Sequence, residues 1–68
     1  MSIYRVTEVI GTSPTSWEEA AKNAVETASR TLRDLRVGEV VKLDMTIDDG
    51  KVAQYRARVN ISFKYESE

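Results

Sequence analysis

From Lys51 to Tyr65 the chain alternates residue by residue. Ala53, Tyr55, Ala57, Val59, Ile61, Phe63 and Tyr65 share one side; Gln54, Arg56, Arg58, Asn60, Ser62 and Lys64 share the other. Successive side chains of a strand point to opposite faces, so a period of two predicts a strand at about 51–65 with one face turned to a core. It is long for a strand, where five or six residues are usual. The preceding stretch, about 36–47, repeats the pattern more weakly, with Val41, Leu43, Met45 and Ile47 opposed to Lys42, Asp44 and Thr46. Asp48-Asp49-Gly50 between the two reads as a hairpin turn, because Asp-Gly readily supplies positive φ angles.

At the other end, about 3–10, β-branched and aromatic residues predict a first strand that Gly11 ends. Tyr4, Val6 and Ile10 fall on one side, with Arg5 and Thr7 on the other. Glu8 falls on the apolar side, so it is expected near a strand end or an interface, where its carboxylate finds a hydrogen-bond partner. Gly11 to Ser16 has loop composition.

The period then changes to three and four. Trp17, Ala20, Ala21, Ala24, Val25, Ala28, Leu32 and Leu35 form one apolar face, which predicts a helix over about 16–34. Ser16 and Glu19 have the spacing of a capping box, in which each side chain reaches the other residue's amide. The alanines leave room for a sheet to approach closely. The order is β-α-β-β in one α+β domain, residues 1–68, with the helix on one face of a three-stranded antiparallel sheet. The other face is left uncovered, and the helix is too short to cover the long hairpin. Copies of the same chain are the simplest cover, the alternative being a hairpin tip that projects into solvent.

Composition narrows the chemistry. The 68 residues include no cysteine and no histidine, which removes disulfides, thiolate metal sites, the commonest zinc ligand and the commonest general base. A chain this short has little core, and oligomerisation is the remaining way to reinforce it. Ten basic and eleven acidic residues give a net charge of −1 without a run that would suit nucleic acid. Apolar runs are far shorter than the roughly 20 residues of a membrane span, and Met1–Arg5 has no signal-peptide pattern, so a soluble cytoplasmic protein is expected. No phosphate loop or activated nucleophile appears; Ser13, Thr15 and Ser16 read as capping and loop hydrogen bonders, and the chain is expected not to be an enzyme.

Two groups carry what chemistry there is. Asp44, Asp48 and Asp49 lie close in sequence, but Met45 and Ile47 stand where a calcium loop of the EF-hand kind needs acidic residues, so a plain hairpin is favoured. Asp44 would serve a hard cation only where symmetry gathered several copies, since calcium takes six to eight oxygens. Arg56 and Arg58, with Lys42 and Asp44 on the neighbouring strand, make a charged sheet face. It reads either as a solvated, salt-bridged surface or as the lining of a cavity for a small anion.

The chain also resembles the dodecins. The resemblance is carried by Tyr4-Arg5-Val6-Thr7-Glu8-Val9-Ile10-Gly11-Thr12-Ser13-Pro14-Thr15-Ser16-Trp17-Glu18-Glu19-Ala20 and by the Asp49-Gly50-Lys51-Val52 turn. It implies the dodecin fold, a β-α-β-β subunit whose sheet wraps the helix. It also implies a homododecamer around a hollow centre, while the charge pattern and the short apolar runs leave no nucleic-acid or membrane partner expected. Flavin-binding dodecins hold flavins between tryptophans of symmetry-related subunits. Val37 takes the place of that tryptophan here, and the polar positions that touch the flavin ring correspond to Asp44 and Arg56. Valine has no π face, so stacking worth about 0.5–1.5 kcal/mol per pair is lost. Trp17 is a different residue and is expected in the core. Arg36-Val37 and Asp44-Met45 match the calcium dodecin branch of the family instead. The resemblance therefore implies a non-catalytic binding or storage shell, with flavin not expected and calcium the candidate ion, Asp44 being the one ligand singled out. The alternative is a flavin-binding dodecin with a degenerate site, stacking on Tyr55 or Tyr65.

Overall fold

The computed structural model describes residues 2–65, which form β1 (Tyr4–Ser13), α1 (Trp17–Ala28), β2 (Leu35–Asp48) and β3 (Lys51–Lys64). Met1 and residues 66–68 of the expected domain lie outside the described residues. The strand with the clearest alternation, β3, is central, antiparallel to both neighbours in the order β1-β3-β2. Its pairing with β2 runs the whole hairpin, from Leu35↔Phe63 to Asp48↔Lys51. Its pairing with β1 stops at Ser13↔Tyr55. Beyond Tyr55 the hairpin is a two-stranded ribbon, which accounts for a molecule 52 Å long and only 20 by 14 Å across. Asp49 (φ 53°) and Gly50 (φ 75°) make the expected turn.

The helix lies across β1 and β3. Ala20, Ala24, Ala57, Val59 and Ile61 are buried between the layers, flanked by Val9, Ala21, Val25, Ala28 and Leu35. The approach is as close as the alanines suggest. A Cβ on Gly11 would collide with the Ala20 carbonyl oxygen and lie 2.8 Å from Ala24 Cβ.

Several expectations change. β1 does not end at Gly11; Gly11, Thr12 and Ser13 continue it opposite Ala57, Arg56 and Tyr55. Its helix-facing side is Thr7, Val9, Gly11 and Ser13, so Tyr4, Val6 and Ile10 lie on the uncovered face, about half exposed or more. The alternation is legible in the sequence but its direction is not, because the inward side is built from small and polar residues that fit under the helix. Glu8 is not near a strand end: it sits mid-strand on the uncovered face, with Arg58 as its partner at 3.6 Å.

The helix stops at Ala28, not near Asp34, and Leu35 begins β2. Ser29 Oγ donates to the Glu26 carbonyl at 2.6 Å, and the amides of Arg30 and Thr31 bond three residues back at 3.1 Å. Hydroxyl side chains that compete for the last carbonyls, with no basic residue in the last turn, favour a tightened exit over another turn. Asp34, at φ 59°, then redirects the chain into β2.

In β2, register shifts fall between Leu35 and Val37, between Val40 and Lys42, and between Thr46 and Ile47. Val40, not Val41, lies opposite Val59 on the helix side; Val41 is the extra residue of a bulge. Leu43 and Met45 keep the helix side, opposite Ala57 and Tyr55.

Candidate functional site

The uncovered face of the sheet is built by register. Directly paired residues of antiparallel strands share a face, so each rung brings together three side chains. One rung joins Thr12, Arg56 and Asp44; the next joins Ile10, Arg58 and Lys42. Glu8, Asn60 and Glu39 follow, then Val6, Ser62 and Val37. The result is a charged strip toward the hairpin and an apolar end toward the chain's N-terminus.

In the charged strip, Arg56 Nε donates to Asp44 Oδ1 at 2.7 Å and Nη2 donates to Oδ2 at 2.9 Å. This forked pairing uses both carboxylate oxygens, the strongest arrangement open to the two groups. The Arg56 guanidinium holds the Asp44 carboxyl below its ordinary range, with attraction from Lys42 and Arg58 adding and burial opposing. The same bonds raise Arg56 further above its ordinary value. Both side chains remain partly open to solvent, 36% and 37% exposed, so the pair is screened rather than sealed.

Trp17 is half-buried rather than enclosed in the core. Its indole N–H donates to the Asp44 backbone carbonyl at 2.9 Å, and its ring meets Tyr55 edge-on, centroids 5.1 Å apart at 77°. An indole is mostly apolar but carries one donor that needs such a partner, which is the signal the sequence holds for this link. The start of the helix is thereby tied to the strand that carries Asp44.

That start has its own polar cluster. Glu19 N–H donates to Ser16 Oγ at 3.0 Å, the expected half of the capping box. The other half differs: the Glu19 carboxylate accepts the Ser13 hydroxyl at 2.5 Å and the Thr15 hydroxyl, and the Ser16 amide turns to Ser13 Oγ at 3.3 Å. Ser13 is 1% exposed, which makes this the one buried polar side chain among the described residues, and its needs are met locally. The bonds from Ser13 and then Thr15 lower the Glu19 carboxyl below its ordinary value. The hydroxyl cluster serves as capping, as its composition suggests.

Val37 lies 61% exposed at the apolar end, in a shallow hollow with Tyr4, Arg36 and Ser62. Asp44 and Arg56 are directly paired, whereas Val37 lies several rungs away along the same face. Of the two tyrosines, Tyr55 meets the edge of Trp17 and Tyr65 lies beneath the Arg5 guanidinium, 5.5 Å from its centroid. Among the described residues, no three Asp, Glu, His or Cys side chains gather as a metal cluster.

A sequence profile of the family described as Dodecin matches residues 3–66. The chain is 47% identical over 64 residues to the calcium dodecin of Mycobacterium tuberculosis, covering 94% of this chain and 90% of that one. The structure of dodecin from Streptomyces coelicolor superposes with a TM-score of 0.92 at 43% identity, covering 98% of this chain and 96% of that one. The crystal structure of the M. tuberculosis calcium dodecin, described as a calcium-chelating immunodominant antigen with a novel calcium-binding site, superposes at 0.84 with 46% identity, over 98% and 96% of the two chains.

Proposed function

The chain belongs to the dodecin family of small, non-catalytic binding proteins, and from that premise we propose that it is the subunit of a homododecameric hollow shell that holds a small ligand or an ion rather than a flavin. The observation that carries the shell is the uncovered sheet face. Tyr4, Val6, Ile10 and Val37 stand on it between 47% and 62% exposed, with Val6 and Val37 on one rung, and large apolar side chains left open on one sheet face favour a partner surface. Twelve copies meeting through such faces would cover it. No helix of the described residues is long and apolar enough to cross a membrane, and we place the shell in the cytoplasm.

Val37 supports the exclusion of flavin, since the position corresponding to the stacking tryptophan offers no ring. Tyr55, edge-packed on Trp17, and Tyr65, beneath Arg5, are already engaged, which supports ranking a degenerate flavin site second. Riboflavin added to the purified protein is expected to keep its fluorescence; saturable quenching would reinstate the flavin reading.

For the ion, the M. tuberculosis relative suggests calcium. Among the described residues of one subunit no three carboxylates gather toward the six to eight oxygens that calcium takes, and both Asp44 oxygens already accept from Arg56. A calcium ion would therefore be shared by carboxylates of more than one copy. Calorimetry of the assembled protein with calcium chloride tests this, with saturable heat expected and silence removing the ion from the proposal.

A further inference from the structure

We infer that Arg56 is the resident counter-ion of Asp44 and excludes a divalent cation from that carboxylate, so that Arg56 sets which charge the strip accepts. The inference concerns the same face as the shell proposal but stands whether or not the shell binds calcium. Three observations carry it. The fork at 2.7 and 2.9 Å occupies both Asp44 oxygens, and the two residues are directly opposed in the sheet, so the pairing needs no unusual reach. The neighbouring rung presents Arg58 and Lys42, and the two carboxylates of the rung beyond, Glu8 and Glu39, stand behind that positive pair, with Glu8 turned to Arg58 at 3.6 Å. A cation placed on Asp44 would lose the Arg56 pairing and sit beside three positive side chains, against Coulomb's law at short range. The third observation is the backbone: the Trp17 indole bond to the Asp44 carbonyl, with Tyr55 packed on the same ring, fixes the strand at the residue that would otherwise have to re-aim.

Carbon-13 spectra of the assembled protein labelled in its aspartate carboxyls test this directly, with Asp44→Asn assigning the resonance. On addition of calcium chloride the Asp44 carboxyl signal is expected to stay in place in the native protein and to move in Arg56→Gln. Arg56→Lys, which keeps the charge but loses the fork, is expected to respond less than Arg56→Gln. A calcium-dependent shift of Asp44 in the native protein overturns the inference, and so does an Asp44 signal in Arg56→Gln as inert as in the native chain. If Arg56→Gln does not assemble, the native spectrum decides alone. Calorimetric silence toward calcium would count against the ion proposal while leaving these spectral outcomes in force.

Discussion

The Glu19 carboxylate accepts hydrogens from two hydroxyls, and one of them, on Ser13, is buried beneath the start of the helix. Such bonds favour the charged form, so the folded value lies below the unfolded one. The sign follows: the stabilisation is complete above the ordinary carboxylate range and disappears as pH falls through the lowered folded value. In acid melts followed by Trp17 fluorescence, Glu19→Gln should be less stable than the native protein at neutral pH. The gap should shrink as pH falls through the ordinary Glu range and vanish below the lowered folded value. Gly11 offers a second test at this scale. A Cβ there meets backbone, the Ala20 carbonyl, rather than a side chain that could turn away. Gly11→Ala should therefore destabilise by about 3 kcal/mol, at the upper end for an overpacked site, measured by urea unfolding of the assembled protein.

At the scale of elements, what is legible in the sequence depends on how each element signals. The faces of β3 can be assigned from residue type alone because its inward side is apolar almost throughout. Those of β1 cannot, since Thr7, Gly11 and Ser13 face the helix while Val6 and Ile10 do not, and residue type points the wrong way when the partner surface is itself waiting for a cover. The spacing of Leu32 and Leu35 extends the helix too far, because the hydroxyls of Ser29 and Thr31 take over the last carbonyls. At the candidate site, the sequence places Arg56 and Asp44 on one charged face, but their fork and the Trp17 tie depend on a register that the bulges in β2 shift. The hairpin is legible from Asp-Gly alone. Gly50 has φ 75°, and a Cβ added there would meet nothing within 4 Å, so Gly50→Ala should carry only the left-handed backbone penalty of about 1 kcal/mol. Chemical denaturation of that variant beside Gly11→Ala would separate a conformational cost from a steric one.

For the whole molecule, the core is small: three of its five fully packed apolar residues are alanines. Against it stand twelve large apolar residues left exposed among the described ones, from Ile3 to Tyr65. A chain of 68 residues with that balance is expected to depend on association for its stability. Its melting temperature should therefore rise with protein concentration, and dilution should unfold it together with dissociation. Sedimentation that finds a folded monomer at micromolar concentration would contradict this. Trp17, the sole tryptophan, reports on the fold in the same samples.

The unpaired Val41 has a consequence for size. Val40 and Val41 are identical, so losing either gives the same polypeptide, and the flanking residues would still alternate correctly, Val40 inward and Lys42 outward. The deletion would spare every facial assignment and remove only the bend that a bulge introduces. That makes the spare valine a setting of curvature, and curvature decides how many identical tiles close a surface. A chain lacking it is expected to fold yet assemble into particles of different mass, which native mass spectrometry would count.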